Sequence, residues 1–212
     1  VSHGRGTSLS FRSKELLDLA IAWVALGVAF AIFLNPALVQ RLIQGGGATA
    51  GAILRAFTLA MLTVGVGFLL HELGHKVVAV HFDQVAEFRA DYGMLALAIL
   101  AAMAGFLFAA PGAVHHRGRI TARQNGLISL AGPVVNVGLA IVFLGLAVVG
   151  SGFVAEVGGL GMIVNVFLAG FNMIPFGPLD GRKVLAWSPL VFGVAFLVTV
   201  GPGLALLLGL VP

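Results

Sequence analysis

The chain has no cysteine, which excludes disulfides and thiolate metal sites and leaves the redox compartment open. It has little charge. Only 9% of its 212 residues are Asp, Glu, Lys or Arg, against about a quarter in a soluble globular domain. A soluble protein of this length could not cover its core with so few. It also lacks internal repeats, low-complexity tracts and any linker toward a second domain. What is present is apolar: 59% of residues are hydrophobic and the mean hydropathy is +1.08. The chain is therefore expected to be an all-α polytopic membrane protein, with the lipid bilayer as its surroundings. The net charge of +4 is read through where the basic residues lie, not as a sign of nucleic-acid binding.

Uncharged runs cover 19–39, 56–70 (continuing to 80 across a polar cluster), 92–114, 126–155, 157–179 and 184–212. A helix needs about 20 apolar residues to cross the hydrocarbon core, so six spans are candidates. The first run is long and lacks a small-residue cleavage pattern, so it reads as an anchor, with a cleaved signal peptide as the alternative. If all six runs cross, the basic residues divide five against seven, which is no bias. If 92–114 dips in and returns, Arg5, Arg12, Lys14, Lys76, Arg89, Arg117, Arg119, Arg123, Arg182 and Lys183 share one side, and only Arg41 and Arg55 face the other. That bias favours five spans with the N-terminus in the cytoplasm. Gly105, Pro111 and Gly112 punctuate the same run. Upstream, "EFRADY" (87–92) alternates polar and apolar residues, the period of a short surface strand. The expectation is five to six transmembrane helices, with a short β-hairpin or re-entrant segment after the second.

The polar cluster is "HELGH", His71 to His75, placed within an apolar run. Ionisable groups at such depth are expensive and usually serve a function. His71 and His75 are four apart, on one helical face, so both imidazoles can reach one ion. Glu72 is placed to touch a water on that ion. This is the HExxH arrangement of zinc enzymes, with the glutamate as general base. The bland alternative is a chance motif, its side chains hydrogen-bonded inside a helical bundle. Zinc needs a third protein ligand if one position stays open. Most acidic residues lie at run ends or in loops. Asp180 ends the segment "NMIPFGPLDG" (172–181), where Pro175, Gly177 and Pro178 break the helix and can swing a carboxylate inward. His71, His75 and Asp180 all lie late in their runs, so the two helices must run in the same direction to share an ion. That again singles out 92–114 as the run that does not cross, and it sets the metal toward the cytoplasm.

These residues resemble the site-2 protease family of intramembrane zinc metalloproteases. The resemblance is carried by "HELGH" at 71–75, by "NMIPFGPLDG" with Asn172, Pro175, Leu179, Asp180 and Gly181 in the family's positions, and by "AGPVVN" (131–136). It implies one Zn2+ held by His71, His75 and Asp180, Glu72 as catalytic base, and Asn172 as a catalytic residue that helps bind or polarise the scissile region. It also implies a substrate-facing Asn136 and a substrate-guiding edge strand around Phe88. The implied partner is a transmembrane protein cut within or near its span, as in regulated intramembrane proteolysis. The expected organisation is a single membrane-embedded domain over 1–212: an N-terminal helix and loop (1–55), a catalytic core (56–181) and a C-terminal helix (182–212). The expected location is the cell membrane, multi-pass, with the active site toward the cytoplasm.

Several residues carry a second, structural reading. Asn136 is equally an interhelical hydrogen bond, and Asn172 a cap on a kinked helix. His115 and His116 read as interfacial beside Arg117 and Arg119, Gly74 and Gly132 as close-packing positions, and Trp23 and Trp187 as membrane anchors. The rival functions are a membrane metal-binding protein or divalent-cation transporter, and an inactive scaffold. The outward halves of the runs are almost wholly apolar, which disfavours a transport path. Glu72 is present, which disfavours the scaffold.

Overall fold

A computed structural model describes residues 8–47, 49–106 and 111–209. Arg5 of the charge count, residues 107–110 of the 92–114 run and the last three residues of the 184–212 run lie outside the described residues. The protein is a helical membrane protein. Its elements are α1 (Ser13–Leu34), α2 (Pro36–Ile43), α3 (Ala50–Ala60), a π-helical turn (Met61–Gly65), α4 (Val66–His81), β1 (Val85–Ala90), α5 (Tyr92–Met103), β2 (Gly112–Arg117), α6 (Ala122–Val149), α7 (Phe153–Asn172), α8 (Asp180–Trp187) and α9 (Pro189–Leu207). β1 and β2 pair as a two-stranded antiparallel sheet, so the expected strand segment after the HELGH helix is present.

Among the described residues, four helices are long and apolar enough to cross a membrane: α1, the continuous helix Ala50–His81 formed by α3, the π turn and α4, and then α6 and α7. Among its described residues, the run 92–114 forms no such helix. Its α5 has 12 residues, about 18 Å of helix against about 30 Å of hydrocarbon core. Gly105 follows in a left-handed conformation (φ 81°), and Pro111 and Gly112 lead into β2. The punctuation read in the sequence therefore marks real breaks.

The chain divides into two compact units. One contains Arg12–Leu69 and Phe88–Ala113. Within it, Ala29 of α1 packs with Ala98 and Ala102 of α5, flanked by Ile32, Phe33 and Ile99. Small residues let these helices approach closely. Gly65 gives room to the Trp23 indole, whose Nε1–H donates to the Met61 carbonyl at 3.2 Å, at the start of the π turn. The Met61 carbonyl thus accepts both the Trp23 indole and the Val66 N–H that closes the π turn. The same unit buries two carboxylates on α1. The Phe88 N–H donates to Glu15 Oε1 (3.0 Å) and the Ala90 N–H to Asp18 Oδ2 (3.3 Å). The Tyr92 hydroxyl also donates to Asp18.

The second unit contains Leu70–Glu87 and Val114–Pro212, with the described part of Val1–Phe11. Its small core joins Ala79, Ala86 and Ile128, lined by Val78, Val80, Phe82, Val114 and Ile120. α6 opens with a capping box in which Thr121 and Gln124 satisfy each other's backbone N–H groups. Lys76, buried on α4, donates from Nζ to the Ser10 carbonyl at 2.7 Å and lies over the Phe11 ring. This unit holds all four residues of the expected zinc chemistry.

Candidate metal centre

One turn of α4 presents His71, Glu72 and His75, all buried. α6 approaches this turn through two glycines. A Cβ at Gly74 would stand 3.2 Å from the Ala131 carbonyl oxygen and 2.9 Å from Val135 Cγ2. A Cβ at Gly132 would stand 2.5 Å from His71 Nε2 and 2.6 Å from His75 Nε2. Gly132 is thus the floor beneath both imidazoles. Pro133 follows it inside the helix and lacks the N–H that an ordinary residue would return to the preceding turn. In that turn the Ile128 carbonyl faces His75 Nδ1 at 2.7 Å.

Asp180 arrives from a different direction. α7 ends at Asn172, and the chain turns irregularly through 173–179, with Gly177 in a left-handed conformation (φ 60°). Gly181 has no side chain to collide with the Met173 backbone, so the start of α8 tucks against it. This delivers the buried Asp180 carboxylate to the histidines. Its Oδ2 lies 3.4 Å from His71 Nε2 and 3.1 Å from His75 Nε2. Its Oδ1 lies 3.8 Å from Lys183 Nζ.

The hydrogen bonding decides what this cluster is for. A carbonyl only accepts, so the neutral His75 ring carries its proton on Nδ1, toward Ile128, and a lone pair on Nε2. His71 Nδ1 is likewise engaged, 2.6 Å from Asn136 Oδ1. The two Nε2 atoms stand 3.0 Å apart, with a carboxylate oxygen against both. Three acceptors converge where an uncharged protein would place a donor. The three ligand atoms lie within 4.8 Å of one another and are buried, and a cation satisfies them together. Two imidazoles and one carboxylate form the donor set of a catalytic zinc site, with a fourth position left for water or substrate. Glu72 is held beside them: its Oε2 accepts from the Val114 N–H of β2 at 3.1 Å.

The other expected site residues sit differently. Asn136 is fully buried. Its Oδ1 meets His71 and its Nδ2 donates to Asn165 Oδ1 at 2.8 Å. Asn172 closes α7, its Nδ2 donating to the Leu168 carbonyl at 2.9 Å. Phe88 is 1% exposed, its ring edge-on to Phe68 and its N–H occupied by Glu15. The strand forecast there exists, but this residue points into the protein. Sequence reasoning missed Asn165, the Ile128 carbonyl and the Val114 N–H. Only Asn165 left a signal, as an uncharged polar residue inside a span.

β2 presents an edge to the centre. The Val114 N–H points at Glu72, so His116, two residues on, shares that edge. Burial, and then the neighbouring charges of Lys183 and His115, lower the His116 pKa below the usual imidazole value.

Two curated relatives match the chain, each named "Putative zinc metalloprotease". One, from Methanocaldococcus jannaschii, is 38% identical over 196 residues, covering 90% of this chain and 93% of its own length. The other, from Bacillus subtilis, is 33% identical over 148 residues, covering 59% of this chain and 66% of its own. No family model matches the chain, and no solved structure does. The first relative is similar over nearly its whole length, and the convergent acceptors in the second unit suit the metal in its name. The chain belongs to a family of zinc metalloproteases, and its cofactor is zinc.

Proposed function

We propose that the protein is an intramembrane metalloprotease of the site-2 type, hydrolysing peptide bonds within or near the spans of membrane proteins. The observation that carries this reading is the position of His71, Glu72 and His75, buried in the last third of the long apolar helix Ala50–His81. A metalloprotease acting on soluble substrates has no use for a centre at that depth. His71, His75 and Asp180 would hold the ion. Zinc, when bound, acidifies water toward neutrality and polarises a peptide carbonyl.

Glu72 has the role of general base. Val114 fixes one of its carboxylate oxygens, which orients the other to accept a proton from the attacking water and return it to the leaving amine. A helical substrate hides its peptide bonds and must unwind before it can be cut. The edge of β2 that carries Val114 and His116 offers backbone partners to an unwound segment by strand addition. This moves the expected guiding strand from Phe88, whose N–H is taken, to β2. The charge bias of the sequence supports a cytoplasmic N-terminus and a metal reached from the cytoplasmic side. A divalent-cation transporter is disfavoured by the poised Glu72 and by the names of both relatives.

The test uses purified protein in detergent with a panel of single-span substrates, comparing wild type with Glu72→Ala, with and without a zinc chelator. Cleavage inside the span that requires both Glu72 and zinc is the expected result. Cleavage only of soluble peptides would limit the reading to a membrane-bound metalloprotease.

A further inference from the structure

The zinc ligand His71 stands at the end of a line of amides that never touches the metal. Asn165 Nδ2 donates to the Gly161 carbonyl at 2.8 Å. A carbonyl can only accept, so this contact decides which end of the Asn165 amide is nitrogen. The Asn165 oxygen is thereby turned toward Asn136, whose Nδ2 donates to it at 2.8 Å. That fixes the Asn136 amide in turn and presents its Oδ1 to His71 Nδ1 at 2.6 Å. An amide oxygen accepts, so His71 carries its proton on Nδ1 and keeps the Nε2 lone pair toward Asp180 and His75. Both asparagines are 0% exposed, so bulk water does not substitute for either.

We propose that Asn165 is a positioning residue for the metal centre. Acting through Asn136, it sets the tautomer and ring orientation of His71, and it passes the polarity of one α7 backbone carbonyl to a ligand on α4. Outer partners of this kind typically change metal affinity by about 10–100-fold when removed. A purely structural interhelical bond would alter stability and leave zinc affinity unmoved.

The inference rests on His71 as a ligand, which His71→Ala tests separately. If that variant keeps wild-type zinc affinity, the ligand assignment fails whatever Asn165 does. The experiment proper measures zinc affinity by chelator competition on purified full-length protein: wild type, Asn165→Leu, Asn136→Leu and the double variant, with helicity and thermal midpoint recorded for each. Asn165→Leu is expected to bind zinc about 10–100-fold more weakly. Because it acts through Asn136, adding it to Asn136→Leu should cost nothing further. Unchanged affinity in the single variant, or losses that multiply in the double, overturns the proposal. If Asn165→Leu does not fold, Asn165→Asp decides. It is isosteric and, with its buried carboxyl protonated, both donates to the Gly161 carbonyl and accepts from Asn136, so it should hold zinc nearly as wild type does. A loss as large as that of Asn136→Leu overturns the proposal.

Discussion

Two regions of the protein bury carboxylates against apolar helices, and they do opposite things. In the unit built on α1, Glu15 and Asp18 meet donors: the N–H groups of Phe88 and Ala90 and the Tyr92 hydroxyl. In the unit built on α4, Asp180 meets the Nε2 atoms of His71 and His75, whose Nδ1 atoms are engaged by Asn136 and the Ile128 carbonyl. The first cluster closes its own hydrogen bonding and is structural. The second has acceptors where donors should be, and a metal completes it. Burial of charge therefore does not mark a functional site by itself; the pairing of its partners does.

The largest effect that would sharpen this contrast is on turnover. Glu72→Ala is expected to lower cleavage of a single-span substrate by about 10²–10⁴-fold, the usual share of a general base, with zinc still bound. Equal loss of zinc in that variant, measured by metal analysis, would make Glu72 a ligand instead. Asp180→Ala should release zinc on dialysis against a mild chelator and abolish cleavage, because two imidazoles alone do not make a closed set. On the other side of the comparison, Glu15→Leu leaves the Phe88 N–H short of an acceptor. It should destabilise the protein by about 1–3 kcal/mol in denaturant titration while zinc content stays at wild-type level. A loss of zinc there would break the division between the clusters. His116→Pro removes an N–H from the edge of β2 and should weaken cleavage of spanning substrates more than zinc affinity. The smallest effect belongs to Trp23→Phe. Losing its bond to Met61 should cost about 1 kcal/mol and leave turnover unchanged.

The zinc set was legible because its signal is local. Two histidines one helical turn apart declare a shared face without any tertiary knowledge, and Asp180 stands out where prolines and glycines break an apolar run. The weakness of 92–114 as a span was legible from charge counting and punctuation, and the 12 residues of α5 give it a physical reason. Phe88 shows the limit of periodicity. Alternation located the strand, but Ala86 and Phe88 both lie on its buried side, so the aromatic residue serves the core. Asn136 and Asn165 are 29 positions apart and meet only because α6 packs on α7. The partners of Glu15 and Asp18 are mostly backbone N–H groups, which every residue but proline has and which leave no trace in sequence.

Gly132 and Gly181 bring distant parts of the chain to one point, and this has a consequence for a protein without cysteine. His75 and Asp180 are separated by about a hundred residues, and an ion held by both ties off that stretch as a covalent staple would. The ion closes that stretch only in the folded state, so its contribution is its binding free energy there. Unlike a disulfide, this tie is set by the free zinc around it. The resistance of the protein to heat is therefore expected to rise with the logarithm of zinc concentration once the site is saturated.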